Sequence, residues 1–170
     1  MSHLDIQFAV EPPRQLQAGS IMEPPPVITL LCGDNGPCQT LMAVAVCEDE
    51  TGQQVDSMQE GPSHQDAYTQ WAVGSVTPGL VKTTSMRQGA VGSFSGQYAY
   101  FFAFPRLCIR HEGRFQLRVQ IFEISSGGGD TVAELCTHPI DVFHDPVYQN
   151  GPSESEEYVL ELAAAAGALR

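Results

Sequence analysis

Five cysteines, five histidines and 20 carboxylates are the side chains of this 170-residue chain that could do chemistry, and their spacing decides which chemistry. Ser63, His64 and Asp66 have the residue types of a nucleophile, a general base and its orienting acid. They fall within one short acidic stretch, whereas such a triad needs a rigid scaffold and a buried Asp. His111-Glu112 begins like a zinc-protease motif, but Gly113 follows and the second His is missing. Residues 125–130, SSGGGD, are glycine-rich yet lack the Lys and Ser/Thr that hold phosphate and magnesium, so they read as a turn. No GxSxG, HExxH or GxxxxGK[ST] occurs, and the carboxylates are dispersed, with no pair placed for acid–base exchange. Cys32, Cys38, Cys47, Cys108 and Cys136 contain no CxxC, and His138 and His144 do not complete a paired ligand spacing. The five thiols therefore read as buried structural cysteines in a reducing compartment rather than metal ligands. The expectation is a protein that is not an enzyme, with no catalytic residue, no metal, no cofactor and no small-molecule substrate.

The rest of the composition says what kind of protein positions these residues. At 18.4 kDa the chain fits one domain over residues 1–170. With 42% hydrophobic and 16% charged residues it is globular in composition. Its longest uncharged apolar run, near residues 41–47, is far short of the roughly 20 residues that span a bilayer. The opening MSHLDIQF has no basic segment followed by an apolar one, so neither a secretory signal nor a membrane partner is expected. The net charge of −12 is unevenly spread. Residues 15–81 carry no Lys or Arg, whereas residues 82–118 hold Lys82, Arg87, Arg106, Arg110, Arg114 and Arg118 against Glu112 alone. An acidic protein repels phosphate at long range, and the local basic segment partly offsets this. Arg106, Arg110, Arg114 and Arg118 read as ion-paired scaffold on strand faces.

Apolar periodicity predicts a mainly antiparallel all-β fold. Strands are expected over residues 4–10, 27–32, 40–47, 68–73, 91–94, 98–104, 106–110, 114–124, 131–137 and 139–143. Pro12-Pro13 ends the first strand, a neutral loop follows, and Pro24-Pro25-Pro26 leads into the second strand as an extended segment. Asn35-Gly36 signals a hairpin between 27–32 and 40–47. Residues 48–66 read as a long acidic surface loop. In 114–124, Phe115, Leu117, Val119 and Ile121 alternate with Arg114, Gln116, Arg118 and Gln120, the pattern of a half-buried strand. Residues 98–104 are apolar on both faces, which predicts a central core strand or one with a face in a subunit interface. Ser153 with Glu156 forms a capping box for a C-terminal helix over 153–167, with Gly167 as its stop. Many short strands and one terminal helix indicate a β-sandwich.

One block is more specific than general β patterning. Phe102-Ala103-Phe104-Pro105-Arg106-Leu107, then Arg110-His111-Glu112-Gly113, then Phe115, Leu117 and Phe122-Glu123 resembles the velvet family of fungal regulators. Four further pieces agree in order: Phe8-Ala9-Val10-Glu11-Pro12, Pro24-Pro25-Pro26-Val27, Leu41-Met42-Ala43-Val44-Ala45, and Gly151 with Glu154-Ser155. The resemblance implies an immunoglobulin- or Rel-like β-sandwich that pairs with itself or another velvet-domain protein. It implies control of fungal development, sporulation and secondary metabolism, a location in nucleus and cytoplasm, and, for some members, direct contact with promoter DNA.

DNA-binding members resembling this chain carry a basic loop between the first strand and the triple proline. Here that loop is residues 14–23, and Arg14 is its only cation. Asp145-Pro146-Val147-Tyr148 stands where such members carry lysines before the closing helix. Two roles stay open: a transcriptional regulator acting as a dimer subunit, or an interaction module that modulates a more basic velvet subunit without touching DNA. In the first role DNA is contacted directly or through the partner. The DNA candidates are Arg14, Lys82 and Arg87, and the dimer candidates are Tyr98, Tyr100, Phe101, Tyr158 and Leu162.

Overall fold

A computed structural model of the chain describes residues 5–32, 40–53, 72–76, 79–82 and 98–168. Within these, ten strands form two sheets. The first sheet has the order β1 (Asp5–Val10), β3 (Val27–Cys32), β7 (Tyr98–Ala103), β6 (Gly79–Lys82). The second runs β2 (Gln15–Gln17), β10 (Ile140–Phe143), β8 (Gly113–Ser125), β4 (Thr40–Glu48), β5 (Ala72–Val76), with β9 (Gly128–Cys136) also paired to β8. The all-β class is as expected. The strands expected at 91–94 and over 68–71 lie outside the described residues, and β5 starts at Ala72.

The alternation in β8 carries through to packing. Phe115, Leu117, Val119 and Ile121 are buried. They share one cluster with Ala43 and Ala45 of β4, and with Ile28, Leu30, Tyr100 and Phe102 of the facing sheet. Both sheets thus contribute their inner residues to a single core, which is what defines a sandwich. The other face of β7 is closed by α1 (Glu154–Ala165): Ala99, Phe101 and Ala103 form a second cluster with Val159 and Ala163. β7 is therefore a central strand covered on both sides, the first of the two expected alternatives.

The helix ends follow the sequence cues. The Ser153 hydroxyl accepts from the Glu156 N–H at 3.2 Å, and the Glu156 carboxylate accepts from the Ser153 N–H at 3.1 Å. At the other end Gly167 has φ +82°, Ala168 N–H donates to Ala163 O, and Gly167 N–H donates to Ala164 O. That double bond pattern around a left-handed residue satisfies carbonyls the helix cannot. Ser153→Ala is expected to lower the unfolding free energy by about 1 kcal/mol, read as a shifted urea midpoint at constant slope.

Several expectations need correction. Asn35-Gly36 lies outside the described residues, but the strands flanking it do not pair. β3 lies between β1 and β7, and β4 between β8 and β5. The connection crosses between sheets instead of closing a hairpin. The loop after Pro13 is not wholly irregular: Gln15–Gln17 form β2, parallel to β10, with Asp141 beside Gln15. Residues 106–110 form no strand. Glu48 ends β4 and is 6% exposed, so the acidic loop begins one residue later than expected. Only Cys47 of the three described thiols is buried, whereas Cys136 is exposed.

Candidate nucleic-acid and partner interface

The segment 14–23 is built from two anchors. Leu16 and Met22 are each 0% exposed and belong to the sandwich core. Between them the backbone is tied on both sides. Ala18 N–H donates to Phe143 O on one side, and Gly19 N–H to Ile109 O and Met22 N–H to Leu107 O on the other, each at 2.8 Å. The segment is thus stitched between the end of β10 and the stretch 107–109 that follows β7. It presents its outward residues from a fixed backbone, unlike a free surface loop.

That stitching decides where the cations go. Leu107 and Ile109 are buried. The residues alternating with them, Arg106 and Arg110, are therefore turned outward, and both are exposed. Among the described residues neither has an ion-pair partner. Their neighbour Glu112 lies 3.7 Å from His144. Among the described residues, the expected ion pairs are found for Arg118 and Arg114. Arg118 Nε is 2.7 Å from Glu48 Oε1, an ion pair in which that N–H is not aimed for a hydrogen bond; Nη2 donates to Glu48 Oε2 at 3.3 Å, and Nη1 donates to Glu134 at 2.7 Å. The hydrogen bond and then the charge of Glu48 raise the Arg118 guanidinium above its ordinary pKa. Arg114 lies 3.7 Å from Asp141, with both side chains about half exposed.

Arg14 is exposed on the other flank of β2, in a groove it shares with Glu11, Glu23, Asp141 and Glu156. The structure does not bring it together with Arg106 and Arg110. Lys82 ends β6 beside Tyr98; its side chain, that of Tyr98 and the whole of Arg87 lie outside the described residues. Tyr100 and Phe101, read as interface residues, are 5% and 0% exposed within this chain's own core. Leu162 packs at the margin of the helix cluster, and Tyr158 is half-buried on the same helix.

Sequence reasoning reads Arg106 and Arg110 as ion-paired scaffold and not as DNA candidates. The pattern Arg-Leu-Cys-Ile-Arg already shows two apolar residues alternating with two outward arginines. What it does not show is whether acids face them.

Two facing, mainly antiparallel layers with a helix closing one outer face define a β-sandwich. The velvet factor family model matches residues 39–152, a span that contains β4 through β10. The chain belongs to the velvet family, a family of regulators of fungal development that interact with other velvet proteins. A search of curated proteins returns no significant match.

Proposed function

We propose that this chain is a transcriptional regulator acting in nucleus and cytoplasm as one subunit of a velvet homodimer or heterodimer. In that role it controls development, sporulation and secondary metabolism. The observation that carries the reading is the pair of outward arginines, Arg106 and Arg110, which have no ion-pair partner among the described residues and are fixed by backbone hydrogen bonds beside segment 18–22. Guanidinium groups on a rigid backbone suit phosphate, which fixes position without reading sequence. The net charge of −12 limits what this chain contributes alone, so a more basic partner supplies the remaining phosphate contacts. On α1, Tyr158 and Leu162 are the dimer candidates that retain exposed surface.

A second reading, the interaction module that leaves DNA to its partner, is favoured by one observation. Arg14, the only cation of segment 14–23, lies among carboxylates that repel phosphate.

Electrophoretic mobility shift with promoter fragments at low salt, using the chain alone and with a velvet partner, separates the two. A shift that grows with both subunits present supports the first. Its absence in every combination, with a dimer still visible by light scattering, leaves the second. A strict monomer that takes up no velvet partner overturns both.

A further inference from the structure

A groove of about 650 Å3 lies between residues 11–15 and 23–24 on one side and 148–151 on the other. That is within the roughly 300–1,000 Å3 of ligand clefts. Its two walls are tied together, because the Gln149 side-chain oxygen accepts from the Glu23 N–H at 3.0 Å. The concavity is therefore preformed, and an occupant need not order it.

The walls carry an excess of negative charge. Arg114 is engaged by Asp141 at 3.7 Å. Glu11, which lies 4.0 Å from His138, Glu23, and Glu156, whose carboxylate also caps the helix, line the groove with Arg14 as the other cation among the lining residues. A concave surface of one sign concentrates its field and draws in counter-charge. Tyr148, whose residue is 89% exposed, stands on the rim, and Pro13 and Pro24 add apolar surface.

We propose that this groove docks an extended segment of a partner protein bearing arginine and proline. Three features select that occupant. Carboxylates repel phosphate, so nucleic acid is disfavoured. Among the described residues no three His, Cys, Asp or Glu side chains converge as a metal ion requires. A guanidinium both pairs with carboxylates and stacks on an exposed tyrosine ring, and an exposed aromatic ring on a groove rim is also a contact that extended proline-rich chain uses. The site is distinct from Arg106 and Arg110 and does not depend on DNA contact.

The test is fluorescence anisotropy with the whole chain and a fluorescein-labelled nine-residue peptide alternating arginine and proline. The matching peptide of glutamate and proline serves as comparison. The arginine peptide is expected to bind and the glutamate peptide not to. Glu11→Gln with Glu23→Gln is expected to weaken binding about five-fold or more, and Tyr148→Ala about two- to five-fold. Glu123→Gln with Asp130→Asn removes the same charge from the β8–β9 hairpin, where these residues stand opposite each other, and should leave affinity within about two-fold. If that distant pair weakens binding as much as the groove pair, the peptide is held by net charge alone and the proposal is overturned. Absence of binding to the unaltered chain overturns it equally, and light scattering with a velvet partner then shows whether the dimer reading survives.

Discussion

Replacing Phe102 by Ala is expected to remove about 3–5 kcal/mol of folding stability. Phe102 is 0% exposed and stands opposite Ile28 in the β3–β7 ladder. It belongs to the one cluster that contains inner residues of both sheets. Truncation therefore leaves a cavity whose two walls are held by separate hydrogen-bonded ladders and cannot collapse toward each other. Domains of this size are stable by only about 5–15 kcal/mol, so the loss is a large share of the total. Urea unfolding should show the midpoint falling while the slope stays constant. Tyr148→Ala, at an 89% exposed residue, should shift stability by no more than about 0.5 kcal/mol. A Phe102→Ala loss under about 1 kcal/mol would mean the two sheets do not enclose this ring.

The second large effect concerns DNA. In a complex of this chain with a velvet partner and promoter DNA, Arg106→Ala with Arg110→Ala is expected to cut affinity roughly ten-fold at 50 mM salt. Each lost phosphate contact lowers the slope of log affinity against log salt by about 0.9. Two lost contacts then remove roughly a ten-fold sensitivity between 50 and 200 mM salt. The change should be uniform across sequences, because phosphate contacts position a protein without reading bases. Arg14→Ala should have a much smaller effect, since carboxylates share its groove. An unchanged salt slope in the double variant would assign DNA contact to the partner and favour the interaction-module reading. Both arginines are exposed and lack ion-pair partners among the described residues, so their removal should leave folding intact. Circular dichroism checks this directly.

The identity of the buried faces was readable before any coordinates. The alternation in Phe115, Leu117, Val119 and Ile121 is a property of one strand, because successive side chains must point to opposite faces. The capping box at Ser153 and Glu156 and the Gly167 stop are likewise set within a few residues of chain. The aromatic run of β7 announced two apolar faces, and both proved to be covered by the chain itself.

What the tertiary structure alone decided is which distant pieces meet. Local sequence favoured a hairpin at Asn35-Gly36, yet β3 and β4 belong to opposite sheets, because each has both edges taken by other strands. The parallel pairing of Gln15–Gln17 with β10 joins segments more than a hundred residues apart and leaves no local periodicity to read. The same holds for charge. Arg118 and Arg106 have the same side chain, but only Arg118 is brought against Glu48 and Glu134, 70 and 16 positions away. Local chemistry fixes a side chain's direction and a helix's ends. Whether an outward arginine is neutralised or left free for a phosphate depends on long-range packing that places, or fails to place, a carboxylate within about 4 Å.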